Sequence, residues 1–184
     1  MWRTLPGGWL LSELVPSDVD AIALHLADGT VAKTLLRVPY PYERKDAEAF
    51  LAIVGAADRK AGRTENWAIR ESDGRLVGVI GLHAPAEGDG KTMEIGYWLA
   101  EPYWGRGIMR EALRRIVNVA LVEYEIDRLE AGVLLGNDRS AKLLVANGFE
   151  LVDERADLSV DGRGPRWGRR YALDYERYAA MQKR

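Results

Sequence analysis

The apolar positions of this chain change their period several times, and those changes mark out its elements. Val19, Ile22, Ala23 and Leu26 recur at helical spacing after Pro16-Ser17-Asp18, a good helix start, and Asp28-Gly29 stops the run. Pro39-Tyr40-Pro41-Tyr42 excludes a helix at that point. From Glu43 to Ala61 the helical period returns, with Ala47, Phe50, Leu51 and Val54 facing inward and Gly62 as the stop. Asn66 to Arg70 and Leu76 to Leu82 flank Ser72-Asp73-Gly74 and predict a hairpin. A loop from His83 to Gly90 leads to a strand over Met93–Leu99. An amphipathic helix follows, its stripe made of Ile108, Ala112, Leu113, Ile116, Val117, Ala120 and Leu121. Beyond it come a strand over Leu129–Leu135, a short helix over Asn137–Ala146 closed by Asn147-Gly148, and a strand starting at Phe149. A polar connection, Asp161–Gly168, and a last strand, Arg170–Tyr175, complete the pattern. With Trp9–Leu14 as the first strand, the order is β-α-α-β-β-β-α-β-α-β-β, with no internal repeat.

Composition narrows the chemistry. The 184 residues suit one domain, with loose ends expected over 1–7 and 179–184. A net charge of −2 offers no broad positive field for nucleic acid. The absence of cysteine excludes a thiolate nucleophile, a disulfide framework and a cysteine zinc site. The start, Met1-Trp2-Arg3-Thr4-Leu5-Pro6-Gly7, breaks into proline and glycine, so no secretory signal is expected. No run of ~18 apolar residues suggests a membrane span, and the cytoplasm is the expected compartment.

The junction between the Met93–Leu99 strand and the amphipathic helix carries the most chemistry. Gly105-Arg106-Gly107-Ile108-Met109 places a glycine turn at a helix start, where unpaired amides and the helix dipole attract phosphate. A P-loop requires Gly-Lys-Ser/Thr, but Ile108 and Met109 follow Gly107. A dinucleotide fingerprint requires a small residue where Arg110 stands.

The pattern resembles the GNAT acyltransferases, whose loop reads Gln/Arg-x-x-Gly-x-Gly/Ala at a helix start. Here the six positions are Trp104, Gly105, Arg106, Gly107, Ile108 and Met109. Trp104 and Met109 depart from that pattern in the manner of one branch, the RimJ/RimL-type N-acetyltransferases. Pro39-Tyr40-Pro41-Tyr42, Glu94-Ile95-Gly96-Tyr97-Trp98-Leu99, Asn137-Asp138-Arg139-Ser140 and Asn147-Gly148-Phe149 are also similar to that branch, so the resemblance runs from about Leu10 to Tyr175. It implies an α+β fold in three layers, α/β/α. Helices flank a mixed, mostly antiparallel sheet of about seven strands, splayed between the fourth (Met93–Leu99) and the fifth (Leu129–Leu135).

The same resemblance implies acetyl-CoA as co-substrate, no metal, and an amine acceptor. The acceptor is a protein N-terminus or a small molecule, and the protein a monomer or homodimer. Amides and side chains of Gly105, Arg106, Gly107, Ile108, Met109 and Arg110 are expected to hold the pyrophosphate. The backbone of Tyr97, Trp98 and Leu99 would hold the pantetheine arm and the thioester oxyanion. Gly96 in mid-strand fits a bulge or a close approach. An ammonium acceptor must lose a proton before attack, which suits a carboxylate; Glu94 is the candidate base and His83 its competitor. Asn137 is a good N-cap, and the family implies a contact with pantetheine as well. Ser140, one turn further on, is the candidate donor to the leaving thiolate. Tyr40, Tyr42, His83 and Trp167 are expected on the acceptor side. His25 reads as structural. The alternatives are a catalytically silent acyl-CoA-binding module, or an enzyme for an aminoglycoside, a polyamine or an amino acid.

Overall fold

Alternating apolar residues build a sheet with two buried faces, and helices cover both. The computed structural model describes residues 3–85, 90–158 and 165–183. Among these, the strands are β1 (Arg3–Thr4), β2 (Leu10–Glu13), β3 (Asn66–Arg70), β4 (Leu76–His83), β5 (Thr92–Leu99), β6 (Arg128–Leu134), β7 (Glu150–Leu158) and β8 (Pro165–Asp174). The helices are α1 (Val19–Ala27), α2 (Arg44–Ala61), α3 (Ile108–Asn118), α4 (Asp138–Ala146) and α5 (Tyr175–Gln182). The eight strands lie in the order β1-β2-β3-β4-β5-β6-β8-β7. Among the described strands, only β5 and β6 run parallel.

Alternation along β4 and β5 sorts the core. Ile80, Leu82, Met93, Ile95 and Leu99 face α3, together with Leu144 of α4 and Tyr178 of α5. Val79 and Trp98 face the opposite way, onto Val19, Ile22 and Leu26 of α1 and Ala47 of α2. This is the expected three-layer α/β/α arrangement. A buried ion pair pins α1 to the sheet: Arg70 donates to both Asp18 oxygens, at 2.7 and 2.8 Å, and to Ser12 Oγ at 2.7 Å. Paired and hydrogen-bonded, the two charges are tolerated inside; unpaired, either would be costly.

Several boundaries differ from the sequence reading. Arg3–Thr4 pairs with Leu10–Leu11 and Leu5 is buried, so the sheet begins earlier than the pattern suggests. The α-helical turn of α3 ends at Asn118 and passes into a π turn over Val119–Glu123, with Val119, Ala120 and Leu121 still buried. The last strand starts at Pro165 rather than Arg170, because its cross-strand pairing with β7 extends that far. Positions 161–164 of the expected polar connection and 86–89 of the earlier loop lie outside the described residues. α5 has no counterpart in the sequence reading. Its apolar anchor is a single buried residue, Tyr178, too little to raise a periodic signal.

Candidate active site

The splay that the fold requires is visible in the ladder itself. β5 and β6 pair only at Thr92↔Arg128, Met93↔Leu129 and Glu94↔Glu130. Beyond Glu94 the strands part, while β5 stays paired to β4 as far as Leu99. A cleft of about 1620 Å³ opens there, lined on one side by Tyr97, Trp98, Leu99, Gly105, Gly107, Ile108, Met109 and Arg110. It is larger than the ~300–1,000 Å³ of an ordinary small-molecule site, enough for a long ligand and a second reactant.

At one end, Gly105 and Gly107 adopt φ of 76° and 75°, and a Cβ added at either would meet nothing within 4 Å. The space around both glycines is open, both line the cleft, and Gly107 caps α3 in a left-handed conformation. The first hydrogen bond of α3 runs from Glu111 N to Gly107 O, at 3.2 Å, so the amides of Ile108, Met109 and Arg110 precede the intrahelical ladder. Ile108 and Met109 bury their side chains in the core while their amides remain at the helix start. Arg110 lines the cleft; Arg106 does not, and its guanidinium lies 5.3 Å from the Tyr103 ring centroid. Trp104, at the position where the general pattern has Gln or Arg, donates through Nε1 to Leu99 O at 2.6 Å and is covered by the Arg139 guanidinium at 4.0 Å. It ties the glycine turn to the end of β5.

In the middle of the cleft, Tyr97 Oη and Ser140 Oγ are 2.9 Å apart. Burial pushes the Tyr97 phenol up to about 12, so it is protonated at neutral pH. Asn137 caps α4 by accepting from Ser140 N at 3.3 Å, and its Nδ2 donates to Thr34 O at 3.4 Å. The Tyr97–Ser140 contact was not expected from sequence; the alternation that sends Tyr97 toward the α3 face, read together with the turn after β6, carries its only signal.

The far end lies on the α1/α2 face of the sheet. Cross-strand pairing sets two rows there: Asn66, Gly81 and Gly96 in one, His83, Glu94 and Glu130 in the other. Glu94 is held by Arg37 from the α1–α2 loop, at 2.8 and 3.3 Å. Glu130 pairs with Arg128 at 2.9 Å and Arg170 at 3.2 Å. None of these three arginine partners was foreseen, and nothing in the local sequence links Arg37 to Glu94. Gly96 pairs regularly with Gly81, without the bulge considered from sequence.

The expected acceptor residues divide. His83 lines the cleft. Tyr42 does too, as a buried wall rather than an exposed loop residue, and burial pushes its phenol up to about 12. Tyr40 and Trp167 do not line it. Tyr40 packs over Gly29, with Lys33 Nζ 4.6 Å from its ring centroid. Trp167 sits within β8, 61% exposed, opposite Ala156 of β7. Both expectations rest on loop position; Trp167 lies in a strand instead, and Tyr40 makes a local aromatic contact. His25 is structural as expected, 3.1 Å from Leu76 O. Among the described residues, no cluster of three or more metal-ligating side chains occurs.

A splayed parallel pair, a free helix start beside it and a protonated hydroxyl pair thus line one long cleft. The sequence profile of the Acetyltransferase (GNAT) domain matches residues 9–150, and the chain belongs to that family. The chain is 41% identical to the probable N-acetyltransferase YjcK of Bacillus subtilis over 92 residues, 50% of this chain and about half (51%) of that relative's length. It is 32% identical to an uncharacterized N-acetyltransferase of the same organism, YoaA, over 145 residues, 77% of this chain and 78% of YoaA. The structure of RimL, a ribosomal L7/L12 alpha-N-protein acetyltransferase in complex with coenzyme A, superposes with a TM-score of 0.80 at 19% identity, over 95% of this chain and 98% of that one. No described helix is long and apolar enough to cross a membrane.

Proposed function

We propose that this chain is an acetyl-CoA-dependent N-acetyltransferase acting, as one domain over residues 1–184, on a primary amine by direct attack within a ternary complex. The observation that carries this reading is the parting of β5 from β6 immediately beyond Glu94, with the amides of α3 opening onto the same cleft. The coenzyme fits these residues: the helix start would hold its diphosphate, the free edge of β5 its pantetheine arm, and Asn137 the arm's polar groups. Bound there, the thioester supplies an activated acetyl carbonyl.

The chain's own groups do the rest. Backbone N–H groups of β5 are fixed dipoles for the oxyanion. The protonated Tyr97–Ser140 pair donates to the departing thiolate. Gly96 leaves a floor without a side chain for the amine, and the Glu94–His83 end of the row removes the ammonium's proton. The amine lone pair then attacks, the C–S bond breaks, and the second amine proton is lost as the thiol forms. The alpha-N-protein activity named for RimL makes a protein N-terminus the first acceptor to test.

The test is calorimetry with CoA and acetyl-CoA, followed by thiol release against a panel of peptide N-termini, polyamines, aminoglycosides and amino acids. Binding with turnover on at least one amine is expected. Tight binding without any thiol release would leave a silent acyl-CoA-binding module, and no binding by folded protein would remove the assignment.

A further inference from the structure

The imidazole of His83 does not hang from the end of β4. It reaches back over Gly81 of its own strand and across to Gly96 of β5. A Cβ on Gly81 would be 3.3 Å from His83 Cε1, and a Cβ on Gly96 would be 3.7 Å from Nε2 and 3.9 Å from Cδ2. A methyl at Gly81 would press on the ring, and one at Gly96 would fill the space beside Nε2. With glycine at both, Nε2 reaches over Gly96, the residue one step into the splay from Glu94. The ring lines the cleft and keeps an edge open to it.

The surroundings suit a group that gains and loses a proton. Arg37 occupies both Glu94 oxygens, at 2.8 and 3.3 Å, so the carboxylate that sequence alone favours as base already has a cation. His83 sits directly across the ladder from it. Beyond the other edge of the ring stands Asn66, 1% exposed, its Oδ1 buried without a hydrogen-bond partner among the described residues. Asp58 Oδ1 accepts from Asn66 Nδ2 at 3.2 Å; a carboxylate accepts only, so the amide is oriented with its oxygen away from Asp58 and over Gly81. A buried carbonyl oxygen without a donor is costly. One beside an imidazole favours the cationic ring that forms after proton uptake.

Resting on the acetyltransferase reading, we propose that His83 is the catalytic base: its Nε2 takes a proton from the acceptor ammonium, with Gly81 and Gly96 giving the ring its reach and Asn66 and Glu94 stabilising the imidazolium. An N–H bond of the ammonium breaks, its electron pair stays on the amine nitrogen, and the proton passes to Nε2 and afterwards to water. Crowding by protein, and then the Arg37 guanidinium, hold the His83 pKa below its ordinary value, against the opposing Glu94 and Asp58 carboxylates. The ring is thus neutral, and able to accept, at pH 7.

The experiment compares wild type with His83→Ala, His83→Gln, Glu94→Gln and Arg37→Gln. Steady-state thiol release is measured from pH 5 to 9, and His83 is titrated by NMR, with His25 as the only other histidine. His83→Ala should lower kcat by about a hundredfold or more, leave the acetyl-CoA KM within about twofold, and recover activity with added imidazole. His83→Gln should be equally slow. The acid limb of kcat/KM should follow the NMR pKa, moving down in Glu94→Gln, which removes an opposing carboxylate, and up in Arg37→Gln. A His83→Ala enzyme within threefold of wild type, a loss that imidazole does not restore, or an acid limb unrelated to the NMR pKa overturns the assignment alone. Wild type that releases no thiol with any amine overturns the acetyltransferase reading together with it.

Discussion

Replacing Gly107 by alanine separates the phosphate-binding role of the α3 start from its structural one. The residue caps α3 at φ 75° and ψ −3°, and an added Cβ would meet no atom within 4 Å. The fold therefore pays no steric penalty, only the strain of an L-residue in the left-handed region, about 1–2 kcal/mol. For a chain of this size that is a fall in Tm of about 2–8 °C. Gly107 lines the cleft, beside the place where the diphosphate is proposed to lie. A methyl there holds an anion off the amides of Ile108, Met109 and Arg110. A hydrogen bond to a charged group contributes about 1.5–3 kcal/mol, so the loss of one weakens CoA binding roughly 10- to 150-fold.

Gly62 provides the control. It caps the C-terminal end of α2 at φ 64°, also with nothing within 4 Å of an added Cβ, and it does not line the cleft. Gly62→Ala should show a similar drop in Tm and bind CoA as wild type does. Thermal melts without ligand and calorimetric titration with CoA give both quantities for both variants. If Gly107→Ala and Gly62→Ala bind CoA equally well, the α3 amides do not hold the diphosphate, and the placement of the coenzyme is wrong.

Asn137→Ala should lower stability by about 1 kcal/mol through the lost cap and weaken CoA binding, whereas Asn137→Asp should keep the cap and still weaken binding, as melts and calorimetry will show. Tyr97→Phe removes the hydroxyl 2.9 Å from Ser140 Oγ; kcat should fall about 10- to 100-fold with little change in acetyl-CoA KM, and an unchanged kcat would exclude the pair from thiolate protonation. Wild-type kcat should show no basic limb from this group below about pH 11, since its pKa lies near 12. Asp18→Asn removes the carboxylate paired with buried Arg70; a cost of about 3–5 kcal/mol should lower Tm by roughly 6–20 °C, while kcat measured well below Tm stays within twofold, because neither residue lines the cleft.

Features written in local spacing were legible before any coordinates. The hairpin at Ser72-Asp73-Gly74, the stop at Gly62, the glycine turn before Ile108 and the cap at Asn137 each depend on residues within one turn of one another. The parting of two strands was foreseen only through family resemblance, since no single strand carries a signal for where its neighbour leaves. Contacts across the fold stayed hidden. Arg37 reaches Glu94 over 57 residues, and Tyr97 reaches Ser140 over 43. Asn66 did leave a trace, as the one uncharged polar residue in Asn66-Trp67-Ala68-Ile69-Arg70, a strand buried at every position. A polar side chain in such a strand needs a partner, and its free oxygen is what draws attention to the ring beside it.

The glycines of this chain show how one letter carries two different requirements. Gly105 and Gly107 are needed for their backbone angles, and the space around them is open. Gly78, Gly81 and Gly96 lie in strands with no left-handed φ, so the missing Cβ is what matters. Their reasons then diverge. At Gly78 a Cβ would stand 2.6 Å from Trp98 O, a backbone atom that cannot yield, so alanine there disrupts the sheet. At Gly81 it would run into Asn66 Oδ1, the atom left free beside His83. At Gly96 it meets only the imidazole, at 3.7 Å, an ordinary contact that the fold absorbs. Gly96→Ala should therefore fold as wild type and act on catalysis alone, by filling the floor between Nε2 and the splay, whereas Gly78→Ala should fail as a folded protein. A pattern reading that treats all of these as turn or bulge glycines misses the distinction, because it lies in what each absent methyl would have touched.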